Sequence, residues 1–344
     1  MKKVTRISER KTEHIKINLY QDVSSGIKTG LEKYRFVHEA LPEMDLTDVD
    51  TSLDLFGKRL SSPILISSMT GGSEEGKLIN IHLAQAAQEC QIALGLGSQR
   101  AALESPDLSS TYEVRKYAPD TLIFANLGAI QLNNGLNLDD CNRVVDMIEA
   151  DGLTLHLNPL QESLQQGGET NFRGLLKKIE TVCKKLKVPV IVKEVGWGIS
   201  EKTARILYNC GVSVIDVAGA GGTSWSQVEM YNSKDDYSRQ MASEFKDWGI
   251  PTAASILNVK KADLGKLIFA SGGINNGIEI AKSIALGATL VGSARLFLND
   301  ALVSAENVVS KIKFLKDQLS IAMFVTASSN LADLENKIYF NEDL

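Results

Sequence analysis

Polar side chains stand at the ends of several short apolar runs in this 344-residue chain. Asn126, His156, Asn158 and Lys193 each close a run of aliphatic and β-branched residues. In a β-strand, His156 and Asn158 would share one face, because successive side chains alternate between faces. A buried ammonium such as that of Lys193 is costly without an anionic partner, which a phosphate or an electron-rich flavin ring could supply. His156 alone could be an ordinary hydrogen-bonded core histidine, but the whole group indicates a polar ligand site.

Two turns of small residues in the last third of the chain predict a phosphate site. One reads Ser271-Gly-Gly273 and the other Ser293-Ala294, and each follows a short apolar run. Small residues let backbone N–H groups approach phosphate oxygens without interference from a Cβ. A single turn could be an ordinary strand-to-helix connection, whereas two in succession at the end of a barrel-like pattern favour a phosphorylated ligand.

Alternating apolar runs and amphipathic stretches predict the elements that position these residues. Eight runs are typical of strands and the stretches between them of helices, which is the pattern of a (β/α)8 TIM barrel in the α/β class. A ninth apolar segment, 251–257, is expected to begin a helix, because proline suits the first helical turn and alanine favours helix. The predicted strands are 64–68, 92–96, 121–126, 153–158, 189–193, 214–217, 267–270 and 289–292.

A doubly wound sheet is the alternative fold, but its dinucleotide-binding fingerprint is missing. That fingerprint requires three glycines at fixed spacing. Arg100 occupies the third position after the glycine pair at 95 and 97, and Ser224 does so after the pair at 219 and 221. We therefore expect a single-domain barrel at residues 61–344, preceded by a polar N-terminal arm and extension at residues 1–60.

Charge and composition limit the partners of the protein. With a net charge of −5 and an isoelectric point of about 5.6, the protein has no overall positive potential that would attract nucleic acid or a membrane surface. The chain has no apolar run of membrane-spanning length and no signal-peptide core, so we expect a cytoplasmic enzyme with no nucleic-acid or membrane partner. The four cysteines are far apart in sequence and form no Cys-x-x-Cys pair, so we expect reduced structural thiols.

Several of the polar strand ends belong to longer motifs. In chain order these are Arg10-Lys-Thr-Glu-His14, Ser67-Ser-Met-Thr-Gly-Gly72, Gly97-Ser-Gln-Arg100, Asn126-Leu-Gly128, His156-Leu-Asn-Pro-Leu-Gln-Glu162, Val192-Lys-Glu-Val-Gly196, Gly219-Ala-Gly-Gly-Thr-Ser-Trp225 and Ser271-Gly-Gly273. Together they resemble type II isopentenyl-diphosphate isomerase, the flavin-dependent form, and eight ordered motifs are far more specific than one glycine-rich turn. Two departures are visible: Trp197 stands where an aromatic such as Phe is commoner, and residues 228–232 lack an expected arginine.

The resemblance implies an FMN enzyme on a (β/α)8 barrel. Implied flavin contacts are Ser68, Met69, Thr70, Ser98, Asn126, Lys193 and Thr223, and implied contacts to the flavin phosphate are Gly272, Gly273, Ser293 and Ala294. Implied substrate contacts, chiefly to a diphosphate, are Arg10, Lys11, His14, Ser98, Gln99, Arg100, His156 and Gln161. A polar arm with Arg and Lys suits that role, because guanidinium groups bind phosphate oxygens bidentately.

The implied reaction is a redox-neutral 1,3-proton shift that converts isopentenyl diphosphate into dimethylallyl diphosphate. Glu162 would bind Mg²⁺, which accepts a single carboxylate together with waters and substrate phosphate oxygens. Gln161 cannot titrate, so it would position the alkene or relay a proton, and Lys193, His156 and Asn158 are the other candidate catalytic residues. The flavin must first be reduced, and transient binding of NADPH fits the missing dinucleotide fingerprint. The family is usually assembled from several subunits, so we expect a homo-oligomer, a tetramer or an octamer.

Three other functions compete with this interpretation. A hydroxy-acid oxidase would place a catalytic histidine late in the barrel, but all four histidines lie in the first half of the chain. An enzyme similar to inosine-monophosphate dehydrogenase needs a nucleophilic cysteine in a barrel loop, whereas Cys210 lies at a predicted helix C-terminus. A non-catalytic phosphoester-binding barrel would have no use for Lys193, Gln161 and Glu162 together.

Overall fold

The computed structural model describes residues 6–262 and 265–341. Residues 1–5 of the predicted arm, and residues 263–264 and 342–344 of the predicted barrel segment, lie outside the described residues. The arm and extension contain helix α1 (Arg6–Tyr20) and the short strands β1 (Tyr34–Phe36), β2 (Leu53–Leu55) and β3 (Lys58–Leu60).

Eight parallel strands close into a barrel in which chain order and spatial order agree, which confirms the (β/α)8 prediction. Strand β7 ends two residues earlier than predicted, so Asn158 lies beyond it, because Pro159 begins the next helix directly after Asn158. The barrel strands are β4 (Ile64–Ile66), β5 (Ala93–Gly95), β6 (Ile123–Gly128), β7 (Gly152–His156), β8 (Val190–Lys193), β9 (Val214–Asp216), β10 (Leu267–Ala270) and β11 (Leu290–Ser293).

Helices follow the strands and pack around the barrel. Side-chain caps define several of their starts: Asn276, for example, accepts a hydrogen bond from the backbone N–H of Glu279. The ambiguous segment after Pro251 is helical, which confirms that prediction. The helices are α2 (Glu74–Cys90), α3 (Arg100–Glu104), α4 (Leu138–Met147), α5 (Pro159–Leu164), α6 (Leu175–Lys185), α7 (Glu201–Asn209), α8 (Trp225–Asn232), α9 (Asp236–Ser243), α10 (Thr252–Ala262), α11 (Gly277–Ala285), α12 (Arg295–Val303) and α13 (Ala305–Phe324).

The cysteines are free thiols, as expected, and Cys210 lies at the C-terminal cap of α7. Burial raises the pKa of Cys141 and of Cys183 to about 12, so both remain protonated at neutral pH. No helix within residues 6–262 or 265–341 is both long and apolar enough to cross a membrane.

The hairpin formed by β2 and β3 closes the amino-terminal end of the barrel. Leu55 and Leu60 pack against Phe124 and Phe269 from the strands. Beside them, Lys58 Nζ lies 2.9 Å from Asp151 Oδ1. This part of the predicted extension therefore belongs to the barrel core, and the domain boundary at residue 60 stays a prediction.

Helix α1 folds over the opposite, carboxyl-terminal end. Ile17 and Val23 pack against Val228 of α8, and the His14 ring meets that of Trp225 edge-on at 5.3 Å between centroids. Strand β1 pairs antiparallel with β12 (Ile338–Phe340), which ties the extension to the last described strand. The predicted polar arm is thus an amphipathic helix whose apolar side contacts the rim of the barrel.

Candidate functional site

A cavity of about 430 Å³ opens at the carboxyl-terminal end of the barrel, a size typical of small-molecule sites. Residues from the strand ends, the following turns and α1 line it. All predicted site residues except Gln99 are among them: Arg10, Lys11, His14, Ser68, Met69, Thr70, Ser98, Arg100, Asn126, His156, Asn158, Gln161, Glu162, Lys193, Thr223, Gly272, Gly273, Ser293 and Ala294.

Several buried polar atoms around this cavity lack a hydrogen-bond partner within the described part of the chain. They are Ser67 Oγ, Thr70 Oγ1, Asn158 Oδ1 and His14 Nε2. A buried polar atom without a partner costs about 1–3 kcal/mol. Their clustering around one cavity indicates that a polar ligand completes the site.

The glycines of the predicted phosphate turn allow two loops to pack closely. A Cβ on Gly272 (φ 104°) would lie 2.1 Å from Gly219 O, and one on Gly273 (φ 74°) would lie 2.5 Å from Gly221 O. The neighbouring loop therefore requires glycine at both positions, and the predicted phosphate contact of this turn stays a prediction. Helix α12 starts directly after the second turn, and its first backbone N–H groups have no intrahelical partner. This edge of the cavity can still receive an anion.

Hydrogen bonds fix the tautomer of His156, and burial keeps its ring neutral. Asn126 donates from Nδ2 to Ser68 Oγ at 3.0 Å, and its carbonyl oxygen lies 2.9 Å from His156 Nδ1. Burial, followed by the charges of Lys193 and Lys11, lowers the pKa of His156 to about 4. A neutral ring must donate from Nδ1 to the amide oxygen, which leaves a lone pair on Nε2.

Lys193 already has an anionic partner within the protein. Its Nζ lies 3.6 Å from Asp216 Oδ2 and donates to Glu194 O at 2.9 Å. A ligand is therefore not the only source of negative charge for this ammonium group. The Glu194 side chain accepts three backbone N–H bonds from residues 195–197, while burial outweighs these bonds and raises its pKa to about 7.

Gln161 is held between an amide and a buried carboxylate. Asn158 Nδ2 donates to Gln161 Oε1 at 3.1 Å, and Gln161 Nε2 donates to Glu229 Oε1 at 3.0 Å. Glu229 is 2% exposed, and burial raises its pKa. Sequence reasoning missed Glu229, although its spacing of one helical turn from Trp225 places it on the buried face of α8.

Glu162 is the one predicted metal ligand. Its Oε1 accepts from Asn158 Nδ2 at 2.9 Å and its Oε2 from the backbone N–H of Glu169 at 2.7 Å. No group of three or more Asp, Glu, His or Cys residues within the described ranges is arranged to hold a metal. A magnesium ion bound mainly through ligand phosphate and water remains compatible with this single carboxylate and with the unpartnered Asn158 Oδ1.

Basic side chains of α1, those of Arg10, Lys11 and His14, lie close together on one side of the cavity. Lys11 Nζ donates to Ser98 O and to the Tyr112 hydroxyl, both at 2.6 Å. Burial and the charge of Arg10 lower the pKa of Lys11 to about 7, and burial with both cations lowers that of His14 to about 3. A bound anion would relieve this repulsion, so the cluster is suited to a phosphate group.

Two neighbouring residues of the predicted diphosphate motif differ in placement. Arg100 lines the cavity and contacts Glu104 at 2.7 Å and Glu169 at 3.3 Å. Gln99 is fully buried and donates to Val144 O, so its side chain is directed away from the cavity. The position of the side chain does not support the predicted substrate contact of Gln99, because its amide nitrogen at the N-cap position of α3 donates to α4 instead.

Comparisons with known proteins agree with the geometry. A family model described as FMN-dependent dehydrogenase matches residues 141–341. The chain is 53% identical over 326 residues to an isopentenyl-diphosphate delta-isomerase of Synechocystis sp., covering 94% of this chain and 93% of that protein. It is 48% identical to the protein of the same name from Nostoc sp., covering 95% and 94%.

Solved structures that resemble the fold are more distant in sequence. A mandelate oxidase with (S)-2-phenylpropionate matches with a TM-score of 0.65 at 17% identity, covering 97% of both chains. A flavocytochrome b2 variant with sulfite bound matches with a TM-score of 0.67 at 20% identity, covering 95% of this chain and 82% of that one. At such identities the likeness concerns the barrel fold alone.

Proposed function

The chain belongs to the type II isopentenyl-diphosphate delta-isomerase family of isomerases, and from this premise we propose that it converts isopentenyl diphosphate into dimethylallyl diphosphate for isoprenoid biosynthesis. The conversion is a 1,3-proton shift in which one carbon of the substrate loses a proton and another gains one. No electrons leave the substrate overall.

One observation carries the proposal: the cation cluster of Arg10 and Lys11 shares a cavity with Gln161 and Glu162. The cluster can bind the diphosphate, because burial and the charge of Arg10 both destabilise the ammonium form of Lys11, which a nearby anion would stabilise. Gln161 is fixed by Asn158 and Glu229 and can hold the alkene end. A substrate with an anionic head and an apolar tail matches this division of the cavity.

FMN would occupy the remaining part of the cavity, held by Ser68, Met69, Thr70, Ser98, Asn126, Lys193 and Thr223, with its phosphate at Gly272, Gly273, Ser293 and Ala294. The unpartnered hydroxyl groups of Ser67 and Thr70 fit such a polar ligand. When bound and reduced, FMN would supply the acid–base group of the proton shift.

The residues of the chain then bind, orient and exclude water. Neutral His156 offers only its Nε2 lone pair near neutral pH, so its role is to accept a hydrogen bond and not to release a proton. Asn158 orients both Gln161 and Glu162 through one amide group. Helix α1 covers the substrate side with His14 and limits access of water.

Glu162 would hold Mg²⁺ beside the diphosphate, where the ion would neutralise phosphate charge. NADPH would reduce the flavin before turnover and then leave. We further infer a cytoplasmic homo-oligomer, a tetramer or an octamer, as is usual in the family that the motifs resemble.

The test is reconstitution of the purified protein with FMN, MgCl₂ and isopentenyl diphosphate under anaerobic reducing conditions. We expect a flavin spectrum on binding and formation of dimethylallyl diphosphate, followed by proton NMR. Failure to bind added FMN at any concentration, or binding without any isomerisation, would contradict the proposal.

A further inference from the structure

Three neighbouring strand ends bring Lys193, Asp216 and Ser271 together at the floor of the cavity. Lys193 lies opposite Asp216 in the pairing of β8 with β9, and Ser271 follows directly after β10, the strand on the other side of β9. Lys193 and Ser271 line the cavity, whereas Asp216 is 2% exposed and does not. Asp216 can therefore act on a ligand only through its two neighbours.

The contacts link Asp216 to Lys193 by two routes. Asp216 Oδ2 is 3.6 Å from Lys193 Nζ, and Asp216 Oδ1 accepts from Ser271 Oγ at 2.7 Å. Lys193 Nζ in turn donates to Ser271 Oγ at 3.3 Å. The neighbouring Glu194 carboxylate is engaged by three backbone N–H groups, so Asp216 is the carboxylate placed to pair with the ammonium.

This arrangement has an electrostatic consequence. A lysine without a counter-ion in a desolvated site would strongly favour a ligand that gains negative charge, and a flavin gains electron density when it is reduced. An adjacent carboxylate weakens that preference, and the Ser271 bridge keeps the ammonium in one position.

We propose that Asp216 is a positioning residue that holds Lys193 toward the flavin and partly neutralises the charge of the ammonium group. It thereby limits how much more tightly the site binds reduced FMN than oxidised FMN. This inference rests on the proposed binding of FMN in the cavity. It assigns a role to a residue that touches neither the flavin nor the substrate.

The experiment compares the midpoint potential of FMN bound to the unmodified protein and to Asp216→Asn. Removing the carboxylate charge leaves Lys193 unpaired, so the affinity for reduced FMN relative to oxidised FMN should rise at least about tenfold. For a two-electron couple, a tenfold change corresponds to an increase of about 30 mV in the potential. An unchanged or lower potential would overturn the inference.

A double-mutant cycle separates this role from a general structural one. In a Lys193→Met background, Asp216→Asn should shift the midpoint potential far less than it does alone. In the otherwise unmodified protein, Asp216→Glu keeps the carboxylate and should leave the potential close to its original value. Asp151→Asn is the matched control, because Asp151 also pairs with partly buried cations but lies at the other end of the barrel. Equal shifts in both backgrounds, or a shift in the control, would contradict a role through Lys193.

Ser271 provides a second test of the inference, and FMN binding by the unmodified protein distinguishes the two proposals. Should Asp216→Asn not fold, Ser271→Ala removes the bridging hydroxyl without changing a charge, and it should raise the potential by a smaller amount; no change would overturn the inference. If the unmodified protein bound FMN and isomerised substrate while Asp216→Asn kept the original potential, only this inference would fail. If the unmodified protein bound no FMN, both proposals would fail.

Discussion

The same eight strands form both ends of the barrel, but the residues that cover the two ends differ in polarity and packing. At the amino end, Leu60 of the β2–β3 hairpin fills the opening, and Lys58 and Arg115 share the carboxylate of Asp151. At the carboxyl end, the cavity is lined by Thr70 and Asn158, each with a buried polar atom that has no hydrogen-bond partner within residues 6–262 and 265–341, and the charge of Arg10 destabilises the Lys11 ammonium. Apolar packing thus closes one end of the barrel, while the other end holds the cavity and the polar groups that a ligand needs.

The largest effect on stability is expected at the amino end. Leu60→Ala removes a side chain that is 1% exposed, so it should lower the free energy of unfolding by about 2–5 kcal/mol. The affinity for FMN should not change, because the hairpin is remote from the cavity. Urea unfolding and flavin titration measure the two quantities, and Leu41→Ala, at a position that is 76% exposed, is the control. Loss of FMN affinity in folded Leu60→Ala would contradict the separation of the two ends.

At the carboxyl end, the largest effect is expected on the reaction rate. Gln161→Leu removes the amide held by Asn158 and Glu229, so kcat should fall about 100-fold while FMN still binds. Gln240→Leu, on the exposed side of α9, should leave kcat unchanged. A Gln161→Leu protein with full activity would exclude Gln161 from the reaction.

Two acidic residues beside Gln161 should differ in their effects. Glu162→Gln should raise the magnesium concentration needed for half-maximal activity at least about tenfold, because a carboxylate ligand is lost. Glu229→Gln should lower kcat through Gln161 and leave the magnesium requirement unchanged. Magnesium titrations of both variants check this, and an unchanged requirement in Glu162→Gln would show that Glu162 is not the ligand.

The smallest effect concerns pH. In the free protein Lys11 loses its proton above about pH 7, whereas a bound diphosphate holds that proton on the ammonium. Affinity for inorganic pyrophosphate should therefore fall as pH rises above 7, by up to about tenfold per pH unit, with uptake of up to one proton. Calorimetry in buffers of different ionisation enthalpy measures the uptake. Lys11→Met corrects for titration of pyrophosphate itself, and equal pH profiles for both proteins would contradict the assignment.

The barrel could be predicted from the sequence because its strands are short β-branched runs whose polar ends mark one rim. Asn126, His156 and Lys193 lie at that rim, as expected. The hairpin 53–60 could not be recognised as barrel core, because Lys58 and Arg59 make it polar and only two of its residues, Leu55 and Leu60, are fully buried in the core cluster.

The contacts between side chains within the site were harder to predict than the identity of the residues that line it. Lys193 and Asp216 are adjacent only through the register of β8 and β9, which the sequence does not state. Gln99 and Arg100 are neighbours in one motif, yet only Arg100 reaches the cavity, because the two side chains leave the start of α3 in different directions. Adjacency in sequence predicted the region, but not which of the two side chains lines the cavity.

Redox neutrality separates an isomerase from the oxidases that share its barrel. The direct measurement is conversion of isopentenyl diphosphate by the FMN-loaded protein in deuterated water, with a limiting and known amount of NADPH under anaerobic conditions. We predict that the dimethylallyl diphosphate formed greatly exceeds the NADPH supplied and carries deuterium in its new methyl group, because an acid–base reaction consumes no electrons. Product limited to one equivalent of NADPH, or product without deuterium in that methyl group, would contradict the proposed function.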